Sequence, residues 1–259
     1  MTRFHRLELD QQQTQPAMTP VQRQESAYDE KNWTEMADQC RRNGHYETAL
    51  RYYSRALELD RSLVACWVGQ VQMLVQLGEY PEAELWSRKA LELFKSNGDL
   101  MAGRSQALCR NGDLAQAQAV SDTALGQPGQ SAYMWMVRGE LMVACRDSID
   151  VCCFDKAIQI DPDWLVLVEI ALIYLYYNMP AKALTRARTA VEKASEQAFC
   201  WYQQGVCEAR LGFSGAARKS LGRCLEISPN HADAERRIKE LDAGGSSFRA
   251  FFRRLFGKG

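Results

Sequence analysis

The side chains best suited to chemistry in this 259-residue chain are three histidines, His5, His45 and His231, and nine cysteines. A nucleophilic site needs a thiol or hydroxyl, a base beside it and a third group that orients the base. None of the histidines has that setting. His5 lies in a Gln-rich arm, His45 in a predicted turn and His231 beside a polar cap. A zinc site needs closely spaced Cys or His, and no C-x-x-C occurs. Cys40, Cys66, Cys109, Cys145, Cys152, Cys153, Cys200, Cys207 and Cys224 are odd in number and fall mostly at helical positions otherwise filled by Ala or other small residues. They read as buried free thiols in a reducing compartment rather than as a disulfide framework. Asp99 and Asp113 follow Gly98 and Gly112 and read as helix starts. Asn111-Gly112-Asp113 is a turn, not a glycine-rich phosphate loop. The residues therefore predict no enzyme, metal, cofactor or small-molecule substrate.

Charge narrows the partners further. There are 32 basic and 32 acidic side chains, so no broad positive field exists to attract nucleic acid. The balance is uneven along the chain: the last twelve residues carry four cations and no anion. The N-terminus has no apolar core of a secretory signal, and no run approaches 18 apolar residues. The expected location is the cytoplasm.

The elements that must position any surface of this chain follow from self-similarity. Trp33, Trp67, Met101 and Trp135 are spaced by 34 residues, as are Gly44, Gly78 and Gly112, and Ala49, Ala83 and Ala117. A further register runs Ala56, Ala90, Ala124, Ala157, Ala190 and Cys224, with two spacings of 33 in its middle. Trp201, Gly212 and Ala217 restore the pattern at the end. In each unit a large residue wedges between helices, and a small one four positions on lets two helices approach, as at Ala37, Gly139, Ala171 and Gly205. A Gly or Asn ends the first helix where a left-handed residue is needed. A lone helical pair cannot bury its apolar stripe, and stacked pairs can.

This pattern resembles the tetratricopeptide repeat family. The first unit carries Trp33, Gly44, Tyr46, Ala49, Tyr53 and Ala56 at the signature positions. The resemblance implies an all-α solenoid of about six antiparallel helix pairs, over 30–63, 64–97, 98–131, 132–163, 164–197 and 198–231. Residues 232–243 read as a capping helix with Ile238 and Leu241 turned inward, 1–27 as a disordered arm and 244–247 as a flexible linker. Units three and four depart most: Met101 replaces Trp, Arg146 stands at the turn Gly, and Asp150 or Val151 occupies a small-residue position.

The resemblance also implies a concave groove, lined by the first helix of each unit, that holds a protein or peptide. In units one to three the groove positions are polar or small. In units four to six they are Tyr133, Met136, Val137, Glu140, Leu165, Val168, Glu169, Leu172, Tyr176, Phe199 and Tyr202. Two outcomes stay open: these side chains line an apolar groove, or the shortened units close and bury them. Chaperone-binding members of the family clamp a C-terminal carboxylate with Lys, Asn and Arg. Here those places hold Thr34, Asp38, Gly69, Asp99 and Gly103, and no later frame restores the set.

The tail FRAFFRRLFGKG stands apart from the repeats. On a helix Phe248, Phe251, Phe252, Leu255 and Phe256 form one apolar stripe, flanked by Arg249, Arg253 and Arg254, with Lys258 near the end. Twelve residues are too few to cross a bilayer but suit a short amphipathic helix lying on an anionic one. The segment is similar to the C-terminal membrane-targeting helix of the bacterial Min-system ATPase. That likeness implies a tether on the inner face of the cytoplasmic membrane. A partner's groove, or the chain's own groove through Glu140 and Glu169, would also fit the stripe.

Overall fold

The computed structural model describes residues 20–243, with side chains from Lys31 onward. The arm before residue 20, the linker and the tail lie outside the described residues. Every described element is helical, as the 3.6-residue patterning predicts. The chain divides after Gly129 into two compact units.

The first unit contains α1 (Pro20–Arg42), α2 (Tyr46–Leu59), α3 (Val64–Gln76), α4 (Tyr80–Leu93), α5 (Gly98–Arg110) and α6 (Leu114–Leu125). Helix α1 begins at Pro20, so residues 20–27 are helical and not part of a disordered arm. The second unit contains α7 (Ala132–Ala144), α8 (Asp150–Ile160), α9 (Trp164–Tyr176), α10 (Pro180–Lys193), α11 (Ala198–Arg210) and α12 (Ser214–Ile227). A further helix, α13, spans 232–243. None of the described helices is long and apolar enough to cross a membrane.

One turn is used in every pair. Gly44, Gly78, Gly112 and Gly212 adopt φ of 76°, 83°, 93° and 79°. The residue after each donates its N–H to a carbonyl five positions back, as in Glu79 to Leu74 at 2.9 Å and Phe213 to Glu208 at 2.9 Å. That bond satisfies a carbonyl the helix end would otherwise leave unpaired, and it reverses the chain. Arg146 and Asn178 occupy the same place with φ of 58° and 56°. Both units lacking Gly thus keep the turn, with a side chain in the left-handed region. Asn97, Asp113, Ser131 and Asp163 cap the following helices by accepting backbone N–H bonds.

The small residues act as the spacing requires. A Cβ on Gly139 would lie 2.5 Å from Cε1 of Phe154, and one on Gly205 would lie 2.7 Å from Cγ of Leu221. In both places a first helix leans directly on its own second helix. The wedging aromatics are anchored as well as buried. Trp67 donates from Nε1 to the Arg61 carbonyl at 2.9 Å, and Trp201 makes the equivalent bond to Ser195 at 2.8 Å. The core of the first unit gathers Ala37, Tyr53, Trp67, Leu74, Trp86 and Leu100. That of the second gathers Met136, Phe154, Ile170, Tyr174, Leu184 and Cys207 around α9.

Six of the nine thiols are buried, Cys40 is half-buried, and Cys145 and Cys152 are exposed. The two exposed ones correct the expectation of a uniformly buried set: Cys145 caps the end of α7 and Cys152 sits on the outer side of the first turn of α8. Asp150, at a position expected to be small, is buried instead. It accepts the Tyr174 hydroxyl at 2.7 Å and the Lys182 ammonium at 2.9 Å, which pins the start of α8 to α9 and α10.

Candidate functional site

The first helices of the second unit's pairs, α7, α9 and α11, touch one another in order. Helix α9 decides the character of this stack. Its sequence, WLVLVEIALIYLY, holds a single charged residue, Glu169, and Asp163 caps its start by accepting from Leu165 at 2.8 Å. A helix apolar all round must be covered on most sides. Phe154, Ala183, Leu184 and Ala187 cover it from α8 and α10.

The predicted groove residues separate into two sets. Met136, Val137, Glu140, Leu165, Val168 and Phe199 are buried, with Glu140 and Val168 at 0 % exposure. They lie on helices α7, α9 and α11, which touch one another. These six pack the stack and do not form an open surface, which corrects their assignment to the groove. Tyr133, Glu169, Leu172 and Tyr202 are half-buried and Tyr176 is 45 % exposed, so these five present the accessible part of the face. The burial of Glu140 also removes it as a ready ionic contact for the tail, which leaves Glu169.

Aromatic contacts order this face. Phe199 stacks on Tyr202 at 6.2 Å, and Tyr202 stacks on His231 at 4.7 Å. Tyr176 meets Tyr177 edge-on at 4.9 Å. Burial, followed by the charge of Asp233, raises the pKa of the Tyr202 hydroxyl, while Arg237 works in the opposite direction. Sequence reasoning missed His231 as part of the row. Its one signal is its place immediately before a polar helix, where a capping side chain belongs.

On the other face of the last pair, Glu208 is buried and accepts from Ser220 at 2.7 Å and Gln204 at 3.1 Å. It forms the floor of a cleft of about 600 Å³ walled by Trp201, Lys219 and Arg223. Among the described residues no group of three His, Cys, Asp or Glu is placed to hold a metal ion.

Comparison with known proteins agrees with this geometry. The pattern that defines the tetratricopeptide repeat family matches residues 35–98. The fold resembles that of a monomeric mutant of IFIT1 solved with Gppp-AAAA, with a TM-score of 0.55 and 18 % identity over 81 % of this chain and 52 % of that one. YrrB, described as a tetratricopeptide protein with an unusual peptide-binding site, matches over 72 % of this chain and 97 % of its own, with 18 % identity and a TM-score of 0.41. A thermophilic tetratricopeptide protein of Thermus thermophilus matches over 82 % of this chain and 98 % of its own, with 16 % identity and a TM-score of 0.49. No curated protein matches the sequence. Residues 35–98 match the tetratricopeptide repeat family by sequence, and over the rest of the described chain the likeness is one of fold alone.

Proposed function

We propose that this chain is a non-enzymatic adaptor. The inner face of its second unit holds an apolar segment of a partner protein, and its tail sets the complex on an anionic membrane surface. The observation that carries the first half is the incomplete cover of α7, α9 and α11. Tyr133, Leu172, Tyr176 and Tyr202 keep apolar surface in reach of solvent beside one carboxylate, Glu169. Aromatic side chains on a rigid helical scaffold are favoured anchors for protein recognition. The triple variant Tyr133→Ala/Leu172→Ala/Tyr202→Ala removes those anchors and keeps the six buried residues. It is expected to lose partners that the wild type captures, with its helical circular dichroism unchanged. Equal capture by a folded triple variant would sink the assignment.

The membrane half rests on the composition of 248–259. Each basic residue beside an anionic leaflet contributes roughly 1 kcal/mol, and each buried Phe or Leu about 1.5–3 kcal/mol. Ordering the segment costs on the order of 1–2 kcal/mol per residue, so binding is reversible and strengthens when copies cluster. Vesicles containing anionic lipid are expected to sediment the full chain but not a version ending at Ala243. Equal sedimentation of the two would remove the tether and leave a scaffold whose tail contacts protein.

A further inference from the structure

We propose that His231 is a pH-sensitive latch for α13. The neutral ring holds the helix down over Tyr202 and Leu221, and protonation lets its first turns open. Helix α13 is lightly held: of its twelve residues Ala234 alone is buried, while Arg237, Ile238 and Leu241 are half-buried. It covers a small cluster of Leu221 and Cys224, with Trp201 and Tyr202 at the edge. Elements with so few buried contacts open locally at much lower cost than a whole domain.

The start of this helix depends on one imidazole. Ala234 donates its N–H to His231 Nδ1 at 3.3 Å and shares that proton with the His231 carbonyl at 3.0 Å. Acceptance at Nδ1 needs the lone pair of the neutral ring, with the proton on Nε2. A protonated ring loses the acceptor and places a cation at the positive end of the helix dipole. Nearby charges are mixed. Asp233, Arg236 and Arg237 of α13 act on the Tyr202 hydroxyl beside the ring, α11 faces the ring with Tyr202, and the Ser228 carbonyl after α12 accepts the His231 N–H at 3.2 Å. The far end of α13 is held differently: Arg218 grips the Asp242 carboxylate at 2.7 Å and the Leu241 carbonyl at 2.8 Å. Opening therefore begins at His231 and uncovers Tyr202, while the other end stays clamped.

The sign follows from linkage. A His held neutral in the closed form and free to titrate in the open one stabilises closure above its ordinary pKa and loses that contribution as pH falls. With an open-state pKa of about 6.5, the opening equilibrium rises by at most about thirtyfold at pH 5. The test is amide hydrogen exchange of the full chain at pH 7.5 and 5.0, corrected for intrinsic exchange rates. In the wild type, protection at 232–238 is expected to fall between about threefold and thirtyfold relative to α11. His231→Asn keeps a capping oxygen but cannot be protonated, and its protection is expected to stay level. A wild type without the loss overturns the latch, and so does an Asn variant that loses protection equally. Neither outcome bears on whether the inner face binds a partner.

Discussion

At the scale of single residues, the helix contacts make opposite demands on glycines that look alike in the sequence. Gly139 and Gly222 both lie inside helices, where Ala is favoured by about 1 kcal/mol. At Gly222 a Cβ meets nothing within 4 Å, so Gly222→Ala is expected to stabilise by up to about that amount. At Gly139 the Cβ would overlap the fully buried Phe154 ring, and overpacking of this kind costs about 1–3 kcal/mol. Gly139→Ala is expected to be net destabilising. Chemical denaturation of the two variants checks the pair, and matching signs would refute the account. Arg146 supplies the converse case. A side chain in the left-handed region costs roughly 1–2 kcal/mol. Arg146→Gly is expected to raise the melting temperature by about 3 °C, a change differential scanning calorimetry resolves.

At the scale of elements, α8 holds the second unit together through an ion that a small-residue rule forbids. Asp150→Ala strands the buried Tyr174 hydroxyl and leaves the Lys182 ammonium to solvent, and is expected to cost about 1–3 kcal/mol. Tyr174→Phe removes one buried hydrogen bond, for about 1 kcal/mol. Lys182→Met leaves the buried Asp150 carboxylate without its cation and is expected to cost the most, about 3–5 kcal/mol. That rank order, read from urea midpoints, is the test. Helix pairing was legible in the sequence because the Gly and Ala registers recur at 34 residues and each has one steric meaning. Asp150 was legible only as a departure, since its partners lie 24 and 32 residues away. The open face was half legible. Position on a helix shows which way Met136 or Val168 points but not how closely the next helix approaches. Six of the eleven groove residues are interior.

At the scale of the molecule, pH acts at the alkaline end through buried thiols. Burial pushes the Cys207 thiol up to about 12 and the Cys224 thiol up to about 11. An acid whose pKa rises on folding stabilises the fold fully below its unfolded value and loses that contribution as pH climbs toward the folded one. Thermal stability is expected to fall from about pH 8.5 upward, and more gently in Cys207→Ala. An identical slope in the variant would exclude the thiol as a cause. Helix α9 carries a different consequence, in the order of synthesis. Its thirteen mostly apolar residues follow α7 and α8 but are made before α10 and α11, which complete their cover, with 34 residues between Tyr176 and the end of α11 at Arg210. At about 5–20 residues per second, that interval lasts roughly 2–7 s. During it the nascent chain carries the unit's greasiest helix with part of its cover missing, so each translating ribosome must keep this segment from its neighbours.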